Sequence, residues 1–149
     1  MEIWIIGGIL VALMIYVSTK IKNAARAAYE REVFETDSFF ITKPDEFIIP
    51  VKEGSEFVFE AYSRDLGEDE AEQFHQCRAV VSERDGVDND SSTKEEENTE
   101  GNVIIKTLSK TLSNPTLNKS FNLKIFVLPE YEEKYANGIK LMLESFTLK

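Results

Sequence analysis

One cysteine, Cys77, and one histidine, His75, are all that the 149-residue chain has of those two types. An internal disulfide is excluded, and so is a zinc site built from the common Cys and His sets. The two residues would point about 200° apart on a helix and share a face on a strand. No glycine-rich nucleophile turn surrounds the cysteine, so both read as structural residues. A phosphate-binding loop, a dinucleotide fingerprint and an HExxH helix are also missing. Asp88, Asp90 and Ser92 stand at the first positions of an EF-hand-like pattern. Thr93 and Thr99 then occupy the places of its essential Gly and bidentate Glu, and the pattern fails. The chain is expected not to be an enzyme and to need no metal or cofactor.

Basic residues are short by ten against acidic ones, 17 to 27. The imbalance is local: from Asp65 to Glu100 there are 13 acidic side chains against Arg78, Arg84 and Lys94, and the remainder is balanced at 14 of each sign. No basic stripe exists to neutralise a run of phosphates, so nucleic acid is not an expected partner. Asn89-Asp90-Ser91 and Asn118-Lys119-Ser120 fit the N-glycosylation pattern, which has no consequence for a cytoplasmic domain.

Charge is absent altogether from Ile3 to Val17, a stretch with five Ile, two Leu and two Val. Those nine residues favour insertion into a bilayer by about 3–5 kcal/mol. The span is short, but Lys20 and Lys22 can snorkel outward. A cleavable signal carries its basic residues ahead of the apolar run; here Glu2 precedes it, and Lys20, Lys22 and Arg26 follow. The segment therefore reads as a retained anchor, the alternative being cleavage near Ala25-Arg26-Ala27. By the positive-inside rule the N-terminus lies outside and the domain is cytoplasmic. Trp4 suits an interfacial belt on the outer side. Gly8 and Ala12 form a small-xxx-small pair, and Ala24 and Ala28 extend a smooth face that could meet a neighbouring helix. Helix-forming residues continue the span into a stalk ending near Phe34.

The expected fold class is α+β, with residues 1–34 as anchor and stalk and 35–149 as one soluble domain: a mostly antiparallel sheet with helices on one face. Strands are expected near Phe39–Thr42, Phe47–Val51 and Phe57–Ser63, where short apolar runs are bounded by Lys-Pro-Asp and Lys-Glu-Gly-Ser. Ala71, Phe74, Cys77 or Arg78, and Val81 recur at helical spacing, with acids early and arginines late. This predicts a helix over 67–84, with a strand across "CRAVVS" as the alternative. Residues 84–102 have almost nothing to bury and are expected to form a mobile acidic loop. The 103–112 stretch fits strand or helix, with strand preferred. Phe121, Leu123, Ile125 and Val127 alternate as a strand does. Pro129 then opens a C-terminal helix whose stripe is Tyr131, Tyr135, Ile139, Met142 and Phe146. Gly138 costs that helix about 1 kcal/mol against Ala.

These features point first to a non-catalytic accessory or assembly subunit of a membrane protein complex, its partners the lipid bilayer and integral membrane proteins. A membrane-tethered sensor or adaptor for a soluble, basic partner is the alternative, and an enzyme of unassigned type the third.

Overall fold

The computed structural model describes residues 2–50 and 54–149. A long helix α1 (Glu2–Ala28) leads into a three-stranded antiparallel sheet of β1 (Glu32–Glu35), β2 (Phe39–Lys43) and β9 (Thr147–Leu148), with β2 in the centre. A six-stranded antiparallel sheet has the order β3-β4-β5-β8-β7-β6. Its strands are β3 (Phe47–Ile48), β4 (Phe59–Ser63), β5 (Cys77–Asp85), β6 (Lys94–Glu100), β7 (Val103–Asn114) and β8 (Lys119–Val127). A short 3-10 turn, Pro129–Tyr131, starts the C-terminal helix α2 (Glu132–Ser145). The architecture is α+β, as the pattern of elements predicts.

Alternation decides which face is buried. Phe121, Leu123, Ile125 and Val127 on β8, with Cys77, Ala79 and Val81 on β5, meet Tyr135, Ile139 and Met142 of α2 and Phe39 and Ile41 of β2 in one core. Burying side chains of this size contributes about 1.5–3 kcal/mol each. Phe146 just after α2 packs edge-on against Phe39 at 5.6 Å between centroids. Gly138 now has a reason to sit inside α2. A Cβ there would come within 3.3 Å of the Pro44 ring and 3.8 Å of Phe47, so glycine lets the helix lie close on the β2–β3 turn.

Four expectations differ from the fold. The helix over 67–84 is replaced by a 3-10 turn, Asp69–Ala71, and by strand β5. Cys77, Ala79 and Val81 are fully buried at a period of two, while Ala71 and Phe74 pack into a separate cluster with Val103 and Leu128, so the helical spacing was shared between two clusters. The 84–102 segment is not loop throughout: β5 runs to Asp85, and β6 pairs with β7 from Lys94↔Ser109 to Glu100↔Val103. All seven β6 side chains are exposed, so the strand is held by its ladder and by Gly101-Asn102 at the turn, where Gly101 has φ +64°. The stalk ends at Ala28 rather than near Phe34, because Phe34 turns inward onto the Phe59 ring, 5.0 Å away, and β1 joins β2. The strand expected over Phe47–Val51 is the two-residue β3, and its last expected residue, Val51, lies outside the described residues.

Candidate functional site at the helix–domain junction

Helix α1 is 27 residues, about 40 Å of helix. Its length and composition suffice to cross a membrane, a property shared by membrane anchors and signal sequences. None of its residues is buried. Trp4, Gly8, Ala12, Lys20, Lys22, Ala24 and Arg26 are all exposed along it, and a Cβ on Gly8 would meet nothing within 4 Å. At the helix end Ala28 is half-buried, and its carbonyl meets the domain.

That contact is made by Lys43, at the end of β2 and 1% exposed. Its ammonium donates to the carbonyls of Ala28 at 3.2 Å, of Glu30, and of Phe47 at 2.7 Å. The last carbonyls of a helix lack intrahelical partners and carry the negative end of its dipole, so a lysine there satisfies both. Burial pulls the Lys43 pKa down, while the carboxylates of Glu32, Asp45 and Glu30 push it up. Around it, Glu46 N–H donates to the Tyr29 carbonyl at 2.7 Å, and Arg31 N–H donates to Asp45 Oδ1 at 2.8 Å. The Arg64 guanidinium stands 5.5 Å from the Tyr29 ring centroid. Beside this joint, Arg31, Pro44, Asp45, Glu46, Arg64 and Leu141 help line a groove of about 400 Å³. Lys110 repeats the device at the other helix, donating to the Leu143 carbonyl at 2.6 Å and the Phe146 carbonyl at 3.0 Å at the end of α2.

His75 and Cys77 are not brought together for chemistry. Burial pushes the Cys77 thiol far above its ordinary pKa, which removes the thiolate a nucleophile needs. His75 donates from Nδ1 to the Ser63 carbonyl at 2.8 Å and stacks on Tyr62, 4.1 Å between centroids. With Arg78, Phe126 and Glu100 it lines a cavity of about 310 Å³. Where the EF-hand-like pattern falls, the acids are engaged by cations: Asp88 by Arg84 at 2.5 Å and Asp90 by Lys94 at 2.8 Å. Lys94 and Ser92 hold the Asp90 carboxyl well below the usual carboxylate range. Among the described residues, no three His, Cys, Asp or Glu side chains converge as a metal site.

The residue that sequence reasoning missed is Lys43. Its partners are backbone carbonyls 4, 13 and 15 positions away, and no side-chain pattern encodes them. Lys-Pro-Asp reads correctly as a turn, but not as the point where a helix end is held.

No protein-family model and no curated protein matches the chain. Among solved structures, a crystal structure from Bacteroides thetaiotaomicron VPI-5482 superposes with a TM-score of 0.52 at 12% identity, over 82% of this chain. The matched part is 49% of that protein, so this chain spans about half its length, and the likeness is one of fold alone. The solution structure of cyanobacterial PsbP (CyanoP) from Synechocystis sp. PCC 6803 superposes with a TM-score of 0.46 at 10% identity, over 80% of this chain and 92% of that one.

Proposed function

We propose that the chain is a single-pass membrane protein with its N-terminus outside and its domain in the cytoplasm. In this reading it serves as a non-catalytic accessory or assembly subunit of a membrane protein complex. The observation that carries this reading is an apolar helix with no buried residue whose final turn is nevertheless built into the domain by Lys43. A cut at Ala25-Arg26-Ala27 would leave the Ala28 and Glu30 carbonyls that the lysine engages, so retention is favoured instead by the basic residues that follow the apolar run and the acidic Glu2 that precedes it. Lys20, Lys22 and Arg26 on the domain side favour the cytoplasmic orientation. Gly8, Ala12 and Ala24 remain open for a neighbouring helix of an integral membrane partner, whereas Ala28 is partly occupied by the joint.

Orientation is tested with single added cysteines, because Cys77 is buried and silent to reagents in the folded chain. A membrane-impermeant maleimide should label Glu2→Cys on intact cells and Lys140→Cys only after permeabilisation; the reverse pattern overturns the orientation. Mild-detergent extraction with mass spectrometry tests the subunit role. Recovery of the chain alone at its monomer mass would count against it.

The adaptor reading is favoured by one feature, the wholly exposed edge strand β6 with Glu95, Glu96, Glu97 and Glu100. Charges of one sign disfavour self-pairing of such an edge and favour a basic strand. Replacing Glu95, Glu96 and Glu97 by Lys separates the readings, since only an adaptor loses its soluble partner.

A further inference from the structure

We propose that the groove beside the anchor junction binds the headgroup of a zwitterionic phospholipid carrying a primary ammonium, phosphatidylethanolamine, on the leaflet facing the domain. The proposal rests on the reading of α1 as a retained anchor. Whatever touches the last turn of that helix is the part of the domain nearest the bilayer, and Lys43, Glu46, Arg31 and Arg64 are the residues at that turn. Counted from Lys22, Ala28 stands about 9 Å farther along the helix axis. The headgroup layer is itself about 5–8 Å thick. The joint therefore stands at the outer edge of that layer, within reach of arginine and glutamate side chains extending back toward it.

Charge in the groove alternates. Arg31 and Asp45 are loosely paired at 3.8 Å, each side chain 61% exposed. Among the described residues no carboxylate pairs with Arg64 and no cation with Glu46, and both are exposed. Across the groove Lys134 and Asp65 close on each other at 3.2 Å. The lining is thus neutral overall, with an open cation and an open anion next to each other; Arg64 N–H donates to the Glu46 carbonyl at 3.1 Å. A purely anionic headgroup would meet Asp45 and Glu46 as well as the arginines. A zwitterion instead places its phosphate on Arg31 and Arg64 and its ammonium on Glu46 and Asp45, where a primary amine donates hydrogen bonds that a quaternary one cannot. Pro44 and Leu141 offer an apolar floor for the glycerol end.

The test is native mass spectrometry of the full-length chain released from bilayers with equal parts phosphatidylethanolamine, phosphatidylcholine and phosphatidylglycerol. The wild type should retain phosphatidylethanolamine in preference. Arg64→Glu and Glu46→Lys should each lower that retention about tenfold, the loss of one charge-assisted contact, and the double variant should recover part of it. Circular dichroism checks that the variants are folded, and the double variant keeps the test valid if one single variant is not. Equal retention of the three lipids, preference for phosphatidylglycerol, or retention unchanged in Arg64→Glu overturns the proposal. A wild type that fails to enter the bilayer overturns the anchor reading and this proposal with it. One that enters but retains no phosphatidylethanolamine overturns this proposal alone.

Discussion

Burial lowers the Lys43 pKa, and among the described residues its amine meets carbonyls rather than a carboxylate: Ala28 and Glu30 from the α1 side, Phe47 from β3. Substituting Met preserves the stem and removes the donors, leaving those carbonyls unpaired. The expected cost is about 1–3 kcal/mol, reduced to the extent that a buried ammonium is also relieved. The distinguishing readout is local: amide exchange at Tyr29, Glu30 and Arg31 should rise in Lys43→Met more than exchange in β5 or β8. Unchanged protection at the joint would show that the lysine does not hold it. Cys77 makes a pH prediction. Its folded-state pKa is raised above the unfolded value of about 8.5, so the unfolded chain loses this proton first as pH climbs. The folded state then binds more protons than the unfolded one, and stability falls as pH rises above about 8.5, by up to about 1.4 kcal/mol per unit. Below that value the thiol adds no pH dependence. Urea midpoints between pH 7.5 and 9.5 should show this decline in the wild type and a shallower one in Cys77→Ala; parallel slopes would contradict it.

At the scale of elements, β6 and α2 are held by different means, and the difference is testable. β6 buries no side chain, and its ladder to β7 depends on the Gly101-Asn102 turn with Gly101 at φ +64°. A β-branched residue strains that turn. Gly101→Val should abolish exchange protection in Lys94–Glu100 while β5 and β8 stay protected; loss of protection throughout would mean that β6 belongs to the core unit. In α2, Gly138→Ala should fail to give the gain of about 1 kcal/mol that helix propensity promises, because the added methyl meets Pro44 at 3.3 Å. A clear rise in Tm would refute that packing. These elements also show what a sequence can express. β2, β8 and α2 are legible because each has one face more deeply buried than the other, and burial writes itself into apolar spacing; β4 is buried on both faces and β7 does not alternate, so the first is marked by its flanking turn residues and the second fits two periods. β5 was ambiguous because its apolar residues also fit a helical repeat once Ala71 and Phe74 are counted with them. β6 writes nothing into hydrophobicity; its one signal was Gly-Asn between two runs of strand length. Of the junction, Lys20, Lys22 and Arg26 were legible as a flank, and Lys43 was not, since main-chain carbonyls are everywhere in a sequence and become partners only through the fold.

For the whole molecule, the decisive relation is between α1 and the rest. The large core draws on the two sheets and α2 and includes no residue of α1, which gives the domain the carbonyl taken by Lys43 and leads into the turn that follows it. A helix that exposes Trp4, Ile5, Ile9, Leu13 and Val17 to its surroundings needs a nonpolar environment, while a domain with a closed core does not. A chain beginning at Lys22 keeps the last turn and its cap but loses the apolar run. It should therefore be soluble without detergent, monomeric, and within a few degrees of the full chain's Tm, since little burial is removed. Sedimentation and thermal melting of the two chains in the same buffer, with mild detergent added for the longer one, make the comparison. An aggregated or unfolded shorter chain would mean that α1 supports the fold in a way its exposure does not reveal. A stable one would show that the domain folds without the apolar run, which then serves something other than the fold.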